Sequence, residues 1–225
     1  MFVKICGLSN IMDAMTAADY GASALGFVMG GRVLPAEVEP HAQTVRDIIR
    51  LLPDGIDTFV VTHLLEPEDI LALADYVGSS GIQISEDIGL DKLKLIRKST
   101  TKKIIKTVVA TDLSSISKLK SYESCCDFIL LDSQVAGYVG GTGFANDFWL
   151  CGSIIRDAEK PVYLAGGLTP DNVADAIRIA RPQGVDVSTG VSTFGAAYLR
   201  KDRKDPDKIK AFITNSRSMI ENAVS

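Results

Sequence analysis

Short apolar, β-branched runs alternate with stretches of helical period along almost the whole chain. The runs predict strands over residues 3–6, 24–29, 58–62, 81–85, 103–109, 127–132, 162–165 and 185–188. Amphipathic stretches between and after them predict helices over 11–20, 41–52, 67–76, 90–98, 112–121, 149–158, 170–180 and 207–223. Start signals support several of these. Ser9 or Asn10 can cap the first helix, and Thr169-Pro170-Asp171 reads as a cap residue followed by proline at the first helical position. Eight strands, each followed by a helix, are the count of a (β/α)8 TIM barrel, a fold of typically ~250 residues. No linker, low-complexity segment or charge block interrupts the alternation, so one barrel domain over 1–225 is expected. The run Lys201-Asp202-Arg203-Lys204-Asp205 reads as a solvated loop before the last helix.

Composition narrows the function classes. Hydrophobic residues make up 46% and charged residues 23% of the 225, the profile of a globular protein with a sizeable core. A net charge of −4 gives no electrostatic reason to bind nucleic acid or an anionic membrane, so an anionic ligand needs a local site. Four cysteines without paired ligand spacing, and only His41 and His63, argue against a metal site. The opening residues lack a signal peptide's apolar region, and no run approaches the ~18 apolar residues of a membrane span, so a cytoplasmic location is expected.

In parallel α/β folds the chemistry sits at the carboxyl ends of the strands, and four of the predicted ends carry it. The first ends in Cys6-Gly7, a thiol at a turn-permitting glycine. The sixth ends in Leu130-Leu131-Asp132-Ser133, followed by Gly140-Gly141-Thr142-Gly143. The seventh ends in Ala165-Gly166-Gly167 and the eighth in Asp186-Val187-Ser188-Thr189-Gly190. Glycine clusters at such ends expose backbone N–H groups that suit a phosphate, and the barrel phosphate site is commonly built after strands seven and eight. Cys6 and Asp132 across the mouth form an acid/base pair: environment can tune a thiol to take a proton and raise an aspartate to give one. His63 follows the third strand and reads as a structural or rim residue.

Val3-Lys4-Ile5-Cys6-Gly7-Leu8 resembles the opening of the phosphoribosylanthranilate isomerase family of tryptophan biosynthesis. The resemblance continues through residues 21–28, 130–133, 140–143, 164–173 and 185–191, and through the ending Lys204-Asp205-Pro206-Asp207-Lys208-Ile209-Lys210-Ala211-Phe212. It covers essentially the whole chain. It implies a (β/α)8 barrel that performs, without a cofactor, an Amadori rearrangement of a phosphorylated aminoaldose to an aminoketose. The family's general base falls on Cys6 and its general acid on Asp132. Its phosphate grip falls on Gly141, Thr142, Gly143, Gly166, Gly167, Ser188, Thr189 and Gly190. Asp186 matches an aspartate near the anthranilate end.

The chain departs from the family pattern at three places. The arginine that contacts the anthranilate carboxylate is Ala36 here, leaving Arg32 as the candidate to reach inward. Gln-Leu-His-Gly after strand four reads Gln83-Ile84-Ser85-Glu86, and Gly-Val-Glu after strand eight reads Gly190-Val191-Ser192. Two alternatives therefore stay open: an isomerase of a different phosphorylated aminosugar, or a non-catalytic phosphosugar-binding barrel. The related isomerase of histidine biosynthesis is expected to carry aspartate where Cys6 stands. The expected partner is a small phosphorylated sugar, with the chain a monomer or homodimer.

Overall fold

A computed structural model describes residues 1–30, 35–133, 147–193 and 203–221, with the side chains of 35–40 and 219–221 left aside. Eight parallel strands close in sequence order, each paired with its chain neighbours and the first with the last. The strands are β1 (Phe2–Ile5), β2 (Ala24–Met29), β3 (Asp57–Thr62), β4 (Gly81–Ile84), β5 (Lys103–Val109), β6 (Phe128–Asp132), β7 (Val162–Ala165) and β8 (Gly184–Val187). The helices are α1 (Ile11–Asp19), α2 (Pro35–Leu51), α3 (Pro67–Val77), α4 (Leu90–Ser99), α5 (Ser115–Tyr122), α6 (Phe148–Arg156), α7 (Val173–Ala180) and α8 (Pro206–Glu221). Every predicted strand and helix is present. Among the described residues no helix is long and apolar enough to cross a membrane.

Three helix starts differ from expectation, each for a local reason. α2 begins at Pro35, a residue whose fixed φ suits a first helical position, and runs through Pro40, ahead of the predicted start at His41. α5 begins at Ser115, because the Asp112 carboxylate accepts from the Ser114 N–H at 2.7 Å and holds a turn there. α7 begins at Val173, so Pro170 is not its first residue. Instead Thr169 donates its N–H to Asn172 Oδ1 at 2.8 Å, closing Thr169–Asn172 into a turn. The first helix keeps its expected cap: Asn10 Oδ1 accepts from the Asp13 N–H at 2.9 Å.

Two cores divide the apolar side chains. Outward-facing strand residues such as Val3, Ile5, Leu25, Phe27 and Ile129 pack beneath the helices. Inward-facing Ala24, Phe59, Ile105, Leu130, Tyr163 and Ala165 fill the lumen, with Phe2 and Phe128 against them. Phe2 and Phe128 stack on Tyr163 at 4.5 and 5.0 Å between ring centroids, sealing the amino-terminal end of the barrel. Large rings fit because their neighbours are small. A Cβ on Gly81 would stand 2.3 Å from the Phe59 ring, and one on Gly184 2.6 Å from Tyr163. The carboxyl-terminal half of the lumen takes the polar side chains of Lys4 and Asp186 on one side and valines of β2 and β5 on the other.

A buried lysine of β5 lies outside the lumen. Lys106 of β5 points under α5, where its Nζ donates to Thr107 O at 2.9 Å and lies 5.2 Å from the Tyr122 ring centroid. Burial lowers its amine from the ordinary 10.5 to about 8. Between those values the unfolded chain holds a proton that the folded chain does not, so stability rises with pH there; below about 8 the full penalty persists. Lys106→Met is expected to stabilise the protein at pH 7 by up to roughly 3 kcal/mol. Urea unfolding at pH 7 and at pH 10 should show that advantage shrinking at the higher pH.

Candidate active site

β1 ends at Ile5, and the chain turns at once. The Cys6 N–H still donates to Val187 O of β8 at 2.8 Å, and Gly7 adopts a positive φ of 72°. A Cβ on Gly7 would stand 2.7 Å from Ser188 Oγ, so glycine supplies both the turn and the clearance. The thiol follows the inward face set by Phe2 and Lys4 and is 5% exposed, at the upper end of the lumen. Asp132 closes β6 on the same inward face and is half-buried. Ser133 fastens that end to the next strand: its Oγ donates to Ala165 O and Gly166 O at 2.9 and 3.0 Å. In ring order the carboxylate of β6 and the thiol of β1 therefore flank the loops after β7 and β8.

Those two loops are packed on each other. Gly166 and Gly167 both have positive φ, and Asn172 Nδ2 donates to Gly167 O at 3.0 Å. Beyond β8, Ser188 leads into a single 3-10 turn, Thr189–Val191. A Cβ on Gly190 would stand 1.9 Å from Leu168 O, so the two loops approach at a distance that only glycine permits. The structure thus brings Cys6, Asp132, Gly166, Gly167, Ser188, Thr189 and Gly190 to one mouth. Arg32 and Gly141-Thr142-Gly143 lie outside the described residues.

Asp186 sits one layer lower, in the lumen. Its Oδ1 accepts from Lys4 Nζ at 2.7 Å, and β1–β8 pairing places these two residues side by side. Lys4 is 0% exposed. Burial by itself would lower its amine, but the Asp186 carboxylate and the Cys6 sulfur reverse that and hold it above its ordinary value. The Cys6 thiol is pushed up by burial and by Asp186, and is drawn back by the ammoniums of Lys4 and Lys204.

Lys204 corrects the expectation of a solvated loop. It is 5% exposed, and its Nζ donates to Ser188 O at 2.9 Å and to Ser192 Oγ at 3.3 Å. Its N–H donates to Asp13 Oδ2 at 2.9 Å, so the segment before α8 is tied to α1 and to the turn after β8. Charge density alone suggested water; a carbonyl and a hydroxyl beneath the mouth satisfy the ammonium instead. Neither buried lysine was singled out from sequence. A signal existed for Lys4, because a lysine inside a strand covered on both faces is exceptional.

On the other side of the mouth the upper lumen ends in valines. Val28 of β2 is 44% exposed and Val109 of β5 41%. At the rim between them His63 Nδ1 and Glu86 Oε1 lie 2.9 Å apart, both partly exposed, which agrees with a rim position for His63.

Fold and mouth define a (β/α)8-barrel protein with a thiol, a carboxylate and glycine loops gathered at the carboxyl ends of the strands, the end where barrel enzymes do their chemistry. The profile of the family described as N-(5'phosphoribosyl)anthranilate (PRA) isomerase matches residues 3–215. The chain is 37% identical over 220 residues to N-(5'-phosphoribosyl)anthranilate isomerase of Desulforudis audaxviator, covering 97% of this chain and 98% of the relative. It superposes on the crystal structure of phosphoribosyl anthranilate isomerase from Thermotoga maritima with a TM-score of 0.81, at 33% identity over 97% of this chain and 99% of that one. A phosphoribosyl anthranilate isomerase solved in complex with reduced 1-(o-carboxyphenylamino)-1-deoxyribulose 5-phosphate gives a TM-score of 0.78, at 30% identity over 97% and 99%. The chain belongs to the phosphoribosylanthranilate isomerase family.

The contact between the β7 and β8 loops can be tested directly. Gly190→Ala forces its Cβ into a backbone carbonyl and should separate the loops. On the sequence expectation of a phosphate grip in these loops, affinity for inorganic phosphate or ribose 5-phosphate, read by calorimetry, should fall about tenfold or more, a loss of ~1.4 kcal/mol.

Proposed function

We propose that this chain isomerises N-(5'-phosphoribosyl)anthranilate to its aminoketose phosphate, with Cys6 as general base and Asp132 as general acid. The observation that carries the reading is the order of groups around the mouth: carboxylate on β6, glycine loops after β7 and β8, thiol after β1. A phosphate held by Gly166, Gly167, Ser188, Thr189 and Gly190 sets the ribose between the two proton-transfer groups. Gly141, Thr142 and Gly143 would complete that grip.

Asp132 gives its proton to the furanose ring oxygen; the bond from C1 to that oxygen breaks, and C1 joins nitrogen as a Schiff base. The Cys6 thiolate then takes the proton from C2, and the C–H electron pair moves toward the nitrogen to leave an enolamine. Transfer of the enol proton to C1 yields the ketone. Every bond broken is matched by one formed, so no oxidant or reductant is required. The aryl group lies over the exposed apolar faces of Val28 and Val109, away from the phosphate loops.

A thiol raised by burial is a stronger base present as a smaller fraction of thiolate. On this reading kcat/KM rises with pH as Cys6 ionises. Cys6→Ala and Asp132→Asn are each expected to lower kcat at least about a hundredfold. The assay follows loss of fluorescence from freshly generated phosphoribosylanthranilate. Full turnover by either folded variant would remove that residue from its role. No turnover by a wild type that still binds ribose 5-phosphate would point to a different phosphorylated aminosugar.

A further inference from the structure

Lys4 occupies the middle of β1, wholly withdrawn from water, with its ammonium 2.7 Å from Asp186 Oδ1. Taking such a pair out of water is costly, and an apolar pair of similar volume is often as stable or more so. Barrel stability therefore gives no reason for a lysine here. Its surroundings give one.

A Cβ on Gly26 of β2 would stand 2.8 Å from Cys6 Sγ and 3.0 Å from Lys4 Nζ. The missing side chain on β2 is the space in which thiol and ammonium meet. Lys4 thus faces Asp186 on one side and Cys6 on the other. Among the described residues, the charged groups that act on the thiol most are Lys4 from β1, Asp186 from β8 and Lys204 from the segment before α8. Gly26 brings none.

We infer that Lys4 is a positioning residue for Cys6: its ammonium, held in place by Asp186, is the charge against which the thiol gives up its proton. This rests on the reading of Cys6 as the base. Burial opposes ionisation of the thiol, the Lys4 ammonium favours it and the Asp186 carboxylate opposes it. Removing the two partners separately should consequently move the thiol in opposite directions. A merely structural pair would not do that.

The test is a pH titration of the thiolate's ultraviolet absorbance without substrate, each protein read against its own Cys6→Ser counterpart. In Lys4→Met, Cys6 should ionise about one pH unit higher or more, leaving about tenfold less thiolate at a given pH below its midpoint. In Asp186→Asn it should ionise lower than in the wild type. The kcat of Lys4→Met should fall by about the same tenfold and recover as pH is raised, with KM little changed. If Lys4→Met fails to fold because Asp186 is left unpaired, Lys4→Met/Asp186→Leu removes both charges and should still ionise higher, because Lys4 Nζ is the charge that shares the space above Gly26 with the thiol.

A Cys6 titration unmoved in the folded Lys4→Met or double variant overturns the inference, as does a shift of the same sign in Asp186→Asn. The titration needs no substrate. A wild type unable to turn over phosphoribosylanthranilate would therefore defeat the functional reading alone.

Discussion

The mouth depends on the seam where β1 meets β8. Pairing there sets Lys4 beside Asp186, Ile5 beside Val187, and the Cys6 N–H on the Val187 carbonyl. In an open sheet the first and last strands would lie at opposite edges, and the thiol would never meet the loop after β8. Closure joins residues 182 apart in sequence through one charged hydrogen bond. Such a pair adds little net stability, because desolvation consumes most of its attraction. It does penalise error. A one-residue slip of β1 against β8 would turn Lys4 away from Asp186 and leave two buried charges without partners.

The packed core and the candidate catalytic groups share the inward faces of the same strands but lie at different heights. Along β1 the inward positions run Phe2, Lys4, Cys6; along β8 they run Gly184, Asp186, Ser188. The lower layer is a closely packed stack of aromatic rings seated over glycines. The layer above holds the ion pair, and the top holds the thiol and the loop. An apolar floor beneath the ion pair lowers the local dielectric, so each charge acts on its neighbour more strongly than it would near water.

Two of the three departures from the family pattern have partners in the structure. Ser192 accepts from Lys204, which also holds Ser188 O, so the side chain there serves the turn after β8. Glu86 pairs with His63 at the rim of β3 and β4, on the side of the exposed valines. Ala36 lies in the first turn of α2.

Much of this was legible in the sequence because it is local. A run of β-branched residues or a helical period is a property of neighbours, so the number and order of the elements followed from the chain alone. Cys6 and Asp132 stood out because each ends an apolar run, and strand ends in parallel folds meet at one face. The lysines were not legible in the same way. Lys204 lies in a run of charges whose composition predicts water, yet Asp13, Ser188 and Ser192, distant in sequence, surround it. Lys4 could be seen as a lysine in a strand, but its partner lies on the last strand, and only closure brings that strand alongside. Local pattern was enough for the elements, their order and the side chains that stand at each strand end. Which charges are buried, and what they face, came only with barrel closure, because burial and pairing depend on neighbours that the chain order keeps far apart.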